Sequence, residues 1–189
     1  MDTKLTPLIE QAKNKEIELF FGDAVHLIYG AELGYSWSIE RQEIKTNAGR
    51  SRFNVMGCYN PITQETVTVT NDTYITSTEI VKLFKILREK NGDKQIFIIL
   101  DNAKYQKCKL VQEASKTYNI DIVYLPPYSP NLNLIERLWK WLRNKCLCNK
   151  YKENFNDFCN DIKNTLSKTG TDYKIEIARM LAMNFQVLG

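Results

Sequence analysis

The stretch QIFIILDNAKYQKCKLVQEASKTYNIDIVYL, residues 95–125, decides the fold class of this chain. It opens with an apolar run at 95–100 and closes with another at 120–125, and both have the length of a buried strand. Between them, 106–118 has the apolar spacing of a helix. Three apolar residues of that helix are expected to point inward: Leu110, Val111 and Ala114. A strand, a helix and a strand at this spacing form a parallel pair with a right-handed crossover, so the stretch predicts an α/β domain.

Strands are also predicted before this unit. The run IELFF at 17–21 indicates a buried strand that stops at Gly22-Asp23. Three segments rich in β-branched and aromatic residues then predict antiparallel strands: 35–39, 52–59 and 66–70. Apolar spacing predicts further helices at 77–90, 132–146 and 154–166. The expected architecture is a mixed central sheet, with antiparallel strands first and a parallel strand-helix-strand unit after them, flanked by helices.

Length and composition favour one folded domain. The chain has 189 residues, a formal net charge of +4 and 43% hydrophobic residues, which are globular values and exclude general disorder. We expect a lead-in segment at 1–16 and a single domain at 17–189. The mild positive charge permits a polyanionic partner without indicating one. No apolar run has the length of a signal peptide or a membrane span, so we expect no membrane partner and an intracellular, cytoplasmic location.

Two aspartates closely follow predicted strands: Asp23 comes one residue after 17–21, and Asp101 comes directly after 95–100. If these strands are parallel neighbours, both carboxylates emerge at one edge of the sheet, where ligand sites of α/β folds collect. Either aspartate alone has another interpretation, as a turn-forming or helix-capping residue. A third candidate is Glu136, which lies at the margin of the apolar arc of its predicted helix. Its alternative role is a capping box with Asn133, three residues earlier.

Three converging carboxylates without histidine or cysteine suit Mg²⁺ or Mn²⁺, which prefer oxygen ligands. Two such ions can activate a water or hydroxyl and stabilise the leaving oxygen of a phosphodiester. Without metal, the carboxylates repel one another and the pKa of at least one of them should rise. The five cysteines and the single histidine, His26, do not have the spacing of a zinc site.

Three segments together resemble the DDE transposases of the mariner-like superfamily, in particular the bacterial insertion-sequence-630 family. They are FFGDAVH at 20–26, FIILDNAKYQKCKLV at 97–111 and VYLPPYSPNLNLIERLWKWL at 123–142. The run LPPYSPNLNLIE is the most specific of these, and the resemblance extends from about 17 to 160. The chain departs from many relatives at Ala24, where they have Glu, and at Gln106, where they have His.

The resemblance implies a ribonuclease H-like fold with Asp23, Asp101 and Glu136 as catalytic and metal-binding residues, holding two Mg²⁺ or Mn²⁺ ions. It also implies DNA strand cleavage at element ends and transfer of the 3′ hydroxyl into target DNA. Relatives place helix-turn-helix modules before this domain, and 1–16 leaves no room for one. We therefore expect a homodimer or a partner chain that carries the helix-turn-helix domain.

Several basic side chains lie close in sequence to the three acids and are candidate DNA contacts: His26, Lys104, Lys107, Arg137, Lys140 and Arg143. Each could instead be a solvated surface charge. For His26, a positioning or packing role is favoured over that of a general base. Trp139 is expected in the core, and Trp141, on another face of the helix, is a candidate for stacking on a base or a partner.

Two other functions stay open from the sequence. A truncated, weakly active fragment could act as an interaction module that regulates a full-length transposase. A ribonuclease H-type or junction-resolving nuclease would share the fold and the metals, although it would not share the LPPYSPNLNLIE run.

Overall fold

The computed structural model describes residues 2–32, 43, 45–46, 50–126 and 133–181. Its helices and strands follow in this order: α1 (Asp2–Lys13), β1 (Glu18–Ile28), β2 (Arg52–Tyr59), β3 (Thr66–Asn71), α2 (Ser77–Asn91), β4 (Ile96–Leu100), α3 (Lys109–Thr117), β5 (Ile120–Tyr124), α4 (Leu134–Cys146), α5 (Phe155–Ser167) and α6 (Lys174–Met180). The predicted strand at 35–39 lies outside the described residues, as does the start predicted at 132 for the helix that becomes α4. Within the described ranges, no helix is long and apolar enough to cross a membrane.

The five strands form one mixed sheet in the order β3-β2-β1-β4-β5. β1 pairs antiparallel with β2, which pairs antiparallel with β3. On its other side β1 pairs parallel with β4, which pairs parallel with β5 through the α3 crossover. The predicted fold class is confirmed, since antiparallel strands come first and the parallel unit follows.

Helices cover both faces of this sheet because side chains alternate along each strand. On one face, Val25 and Leu27 of β1 pack against α4, α5 and α6. On the other, Phe20 packs against α2 and α3. Leu19 and Phe21 meet α1 and the first residue of α4, Leu134. The central strand β1 therefore contributes to three apolar clusters, and its alternation fixes which side chains meet α4.

The prediction that the first strand stops at Gly22-Asp23 is wrong, because β1 continues to Ile28. β4 pairs with β1 only as far as Phe21, whereas β2 pairs with it from Phe21 to Ile28. A glycine suits this position of the strand because the Cβ of any other residue at Gly22 would lie only 2.8 Å from Leu100 Cδ2. Beyond Phe21, the edge of β1 that faces β4 pairs with no strand of the described residues. Asp23 lies in this part of β1.

The helix after Asp101 also differs from its prediction. A 3₁₀ turn, Lys104–Gln106, comes first, and α3 begins only at Lys109. Val111 and Ala114 are buried as expected, but Leu110 is 47% exposed. A nine-residue helix packed on one side buries a single stripe, and Leu110 lies about 100° around the helix from Val111.

Candidate active site

Asp23 is placed by β1 at the point where the sheet narrows. Its partner across the antiparallel ladder is Gly57 of β2. On its other side β4 has already ended, so the carboxylate lies beside an open strand edge rather than within a closed sheet. By alternation it shares the face of Val25 and Leu27, which is the face that α4 covers.

Asp101 directly follows β4, as predicted. Because β4 is parallel to β1, the carboxyl end of β4 comes to the part of β1 that carries Asp23. Asp101 Oδ1 accepts the backbone N–H of Ala103 at 3.2 Å. The turn-forming role weighed from the sequence is therefore present, and it uses one oxygen of the carboxylate.

Glu136 lies in the first turn of α4 and is exposed. The alternative capping box does not form, because the Asn133 side chain makes no capping hydrogen bond. Asn133 is buried and instead donates its Nδ2 hydrogen to the backbone oxygen of Gly22, at 3.1 Å. This bond fastens the start of α4 to β1 one residue before Asp23 and leaves the Glu136 carboxylate outside any cap.

A second contact fastens α4 to the same strand edge. Arg143 donates from Nη2 to the backbone oxygen of His26 at 2.8 Å, and its Nη1 pairs with Glu32. Gly22 and His26 lie four residues apart on β1, and Asn133 and Arg143 lie near the two ends of α4. The helix is therefore held along the open edge of the strand, with Glu136 between the two attachments.

The three carboxylates act on one another electrostatically. Burial, followed by the charges of Asp101 and Glu136, raises the pKa of Asp23 from 3.8 to about 7. The backbone N–H of Ala24 and the indole of Trp139 lower that pKa and only partly offset the rise. Partial desolvation of its carboxylate and the charge of Asp101 also raise the pKa of Glu136. The mutual repulsion predicted from the sequence is thus present at this strand edge.

Trp139 forms the base of the site and depends on a glycine. A Cβ at Gly57 would lie 2.8 Å from Trp139 Cη2, so the indole packs directly on the β2 backbone opposite Asp23. The buried indole N–H makes no full hydrogen bond among the described residues. It is nevertheless close enough to the Asp23 carboxylate to lower its pKa.

A groove of about 380 Å³ brings several predicted site residues together. Its walls are the open edge of β1 and one side of α4: Asp23, Ala24, Val25, His26, Glu136, Trp139, Lys140 and Arg143. Asp101 does not line the groove, but its charge raises the pKa of both acids that do, Asp23 and Glu136. Lys104, Lys107 and Arg137 are not among the lining residues, and the Lys107 ammonium lies 5.0 Å from the centre of the Tyr124 ring.

The fit of the acids to a metal ion rests on their chemistry. In this conformation, no three His, Cys, Asp or Glu side chains of the described residues stand close enough together to hold an ion. The available donors are carboxylate oxygens, which hard divalent cations prefer. A cation would also offset the repulsion that adds to the effect of burial on the pKa of Asp23 and Glu136. The donor set therefore fits Mg²⁺ or Mn²⁺.

Sequence reasoning missed some residues of this region and misplaced one. No sequence pattern points to Tyr105, although burial and the charges of Asp23 and Asp101 raise its pKa to about 12. The glycine within the strand pattern of β2 was the available signal for the close approach at Gly57. Trp141 is not free to stack on a base, because it is 5% exposed, donates to Glu176 at 2.8 Å and packs on Tyr173.

Known proteins support the same architecture. The chain is similar to the mariner Mos1 paired-end complex with Mg, with 14% identity and a TM-score of 0.65 over 93% of this chain and 55% of that one. It is also similar to the HTLV-2 integrase catalytic core domain in complex with magnesium, with 15% identity and a TM-score of 0.51 over 80% of this chain and 81% of that one. These likenesses show a ribonuclease H-like fold shared with transposase and integrase catalytic domains.

In sequence, an uncharacterized protein of Sinorhizobium fredii is 29% identical over 75 residues, 40% of this chain and 53% of that protein. The chain thus spans about half the length of this curated relative and of the Mos1 protein. The model of the DDE superfamily endonuclease family matches residues 18–159, from the start of β1 into α5. With most of its length covered by that match, the chain belongs to the DDE superfamily of endonucleases.

Proposed function

We propose that this chain is the catalytic domain of a transposase that cleaves DNA at the ends of a mobile element and transfers the freed 3′ hydroxyl into target DNA. Asp23, Asp101 and Glu136 are its proposed catalytic acids. The observation that carries the proposal is that burial at the open edge of β1, followed by the charges of Asp101 and Glu136, raises the pKa of Asp23 to about 7. Membership of the insertion-sequence-630 family stays a prediction.

The proposed cofactors are two Mg²⁺ or Mn²⁺ ions, held by these three carboxylates. Such ions, when bound, activate the attacking water or hydroxyl and stabilise the leaving oxygen of the phosphodiester. The chain itself supplies the acids and their placement. Asn133 and Arg143 fix α4 along β1, and Trp139 on Gly57 sets how closely the helix approaches the sheet.

DNA is the proposed substrate, and cations at the groove would hold its phosphates. Lys140 lines the groove and is exposed, whereas the guanidinium of Arg143 is already paired with Glu32. Lys104, Lys107 and Arg137 would contact the DNA that flanks the groove. Because these contacts are electrostatic, we expect affinity to fall steeply as the salt concentration rises.

Cleavage of labelled DNA carrying the element ends, in the presence of Mn²⁺, tests the proposed acids. We expect Asp101→Asn to abolish nicking, since it removes a charge without changing the size of the side chain. Asp93→Asn is the matched control, because Asp93 is an exposed acid in the turn between α2 and β4. Nicking that survives Asp101→Asn, or that Asp93→Asn removes equally, would overturn the assignment.

The partner is proposed to be a second copy of the chain or a chain that carries a helix-turn-helix domain. Light scattering with and without DNA of the element ends tests this proposal. A complex of two copies, or one formed on mixing with a helix-turn-helix chain, is the expected result. A strictly monomeric chain under both conditions would contradict it.

A further inference from the structure

A row of polar side chains crosses three strands near the groove. His26 on β1, Asn54 on β2 and Asn71 on β3 are successive partners in the ladder. His26 Nδ1 lies 2.7 Å from Asn54 Oδ1, and Asn54 Nδ2 donates to Asn71 Oδ1 at 3.0 Å. Asn54 has no exposed surface, so the row is built on a buried polar side chain.

The orientation of Asn54 determines which nitrogen of His26 is left available. Asn54 Nδ2 donates both to Asn71 and to the backbone oxygen of Thr73, the latter at 2.9 Å. Its Oδ1 is therefore the acceptor, and the proton of the bond sits on His26 Nδ1. The Nε2 of the exposed ring then remains for a ligand.

The same row holds the loop between β3 and α2. Asn71 Nδ2 donates to the backbone oxygen of Tyr74 at 2.8 Å. Two residues later, Thr76 caps α2 in a capping box with Glu79. Tyr74 is thus fixed from both sides, although its side chain is 65% exposed.

Tyr74 is paired with a cation rather than covered by the core. The Arg52 guanidinium lies 4.8 Å from the centre of its ring, and Arg52 is itself exposed at the start of β2. The cation adds rigidity to the ring, and most of the tyrosine remains open to solvent. An ordered, exposed aromatic ring beside a cation is the arrangement on which unpaired nucleic-acid bases stack.

We propose that His26, Arg52 and Tyr74 form a subsite for an unpaired nucleotide of the DNA strand that enters the groove. The base stacks on Tyr74 and its phosphate is held by Arg52. His26 Nε2 has a free lone pair in this tautomer and accepts a hydrogen bond from a donor of the nucleotide. The subsite adjoins the groove at the strand edge, since His26 lines the groove with Asp23 and Glu136, and its ring turns to the opposite face of β1 from Asp23. An unpaired nucleotide is required because both faces of a base are covered inside a duplex. The proposal rests on the proposed function, which supplies DNA as the ligand.

Binding without cleavage tests the subsite. The anisotropy of a short labelled oligothymidylate, measured in chelator so that no strand is cut, is compared with that of a duplex of equal length. We expect Tyr74→Ala to weaken single-strand binding about ten-fold or more, in the range measured for loss of one stacked base, while duplex binding changes little. Tyr74→Phe keeps the stacking surface and should bind nearly as the wild type does. Arg52→Gln should weaken binding and flatten its salt dependence.

The control is Tyr151→Ala, which removes an exposed tyrosine from the connection between α4 and α5. Unchanged single-strand affinity in Tyr74→Ala, equal losses for single strand and duplex, or no single-strand binding by the wild type would each overturn the subsite. Its failure is distinct from that of the proposed function, because Asp101→Asn should bind the single strand normally. Persistent nicking by Asp101→Asn with loss of binding in Tyr74→Ala would remove the proposed acids and keep the subsite.

Discussion

Asp23 is an acid on a strand edge whose ionisation is opposed by burial and by two neighbouring carboxylates. Its pKa of about 7 is above the ordinary 3.8. Between these two pH values, the folded protein holds a proton that the unfolded chain has already released. Stability of the metal-free protein should therefore fall as the pH rises from about 4 to about 7.

Asp23→Asn removes this pH-dependent loss of folding stability, because asparagine does not ionise. At about pH 8, we expect the unfolding free energy of the variant to exceed that of the wild type by roughly 2 kcal/mol. This is about half of what the full pKa shift of Asp23 would give, because its carboxylate is only partly buried. At about pH 4 the two proteins should differ little. Chemical denaturation at both pH values measures this, and an equal difference at both would contradict the electrostatic origin. Mn²⁺ at the higher pH should stabilise the wild type and have less effect on the variant.

A substitution at Gly57 tests how closely the Trp139 indole must pack against the sheet. Gly57→Ala places a methyl group 2.8 Å from the indole, so the indole or its helix must shift. We expect a loss of about 1–3 kcal/mol in unfolding free energy, together with slower DNA cleavage. Gly170→Ala is the matched control, because a Cβ there meets nothing within 4 Å. A Gly57→Ala protein as stable as this control would show that the indole can move freely.

The site residues differ in how far the sequence predicts them. Asp101 was placed correctly because β4 ends where its apolar run ends. Asp23 was identified as a candidate, but its position inside β1 depends on pairing with β2, which is a contact distant in sequence. The burial of Trp141 depends likewise on Tyr173 and Glu176, which α4 does not contain.

At the scale of elements, α4 positions Glu136 by two side-chain contacts to the β1 backbone. Asn133→Ala removes the contact nearer the acids, and we expect it to cost about 1–3 kcal/mol because a buried carbonyl loses its donor. Cleavage should fall by more than the loss of stability explains, since the start of α4 is released.

The control for this change is Asn154→Ala, which removes the capping hydrogen bond to the Asp157 N–H in α5. It should cost about 1 kcal/mol and leave cleavage of the folded protein unchanged. Thermal unfolding and cleavage rates of the two variants are compared below their melting temperatures. Equal cleavage rates in both would contradict a positioning role for Asn133.

Periodicity predicted the type and order of most described elements, because each helix buries one stripe and each strand one or two faces. The ends of the helices and strands were less predictable than their type and order. The 3₁₀ turn delays the start of α3, and Leu110 lies outside the one stripe that this helix buries. The interpretation of Asn133 as a helix cap used the correct residue and the wrong partner, since spacing along one helix does not reveal a strand carbonyl packed against it.

At the scale of the molecule, Arg88 joins the ends of several elements. Its guanidinium donates to the backbone oxygens of Tyr118 at 2.7 Å, Lys94 at 2.8 Å and Asn119 at 2.6 Å, and also to that of Gly92. These carbonyls belong to the turn after α2 and the turn after α3, which lead into β4 and β5. One side chain therefore fixes the parallel half of the sheet at the end away from the acids.

Arg88→Met keeps most of the stem of the side chain and removes every donor. We expect a loss of about 2–4 kcal/mol in unfolding free energy, since several carbonyls lose a charged donor together. Lys85→Met on the same helix is the control, because its ion pair with Glu89 is exposed and should be worth less than 1 kcal/mol. Denaturant midpoints measure both, and losses of the same size would contradict the importance of the guanidinium.

The open edge of β1 has a consequence for the behaviour of the protein in solution. A strand edge with free backbone groups is a template on which a strand of another chain can add. Here the carbonyls of Gly22 and His26 are already occupied by Asn133 and Arg143, and the Glu136 carboxylate stands between those contacts. The helix that carries an acid to the groove therefore also keeps a strand of another chain from pairing along this edge of β1.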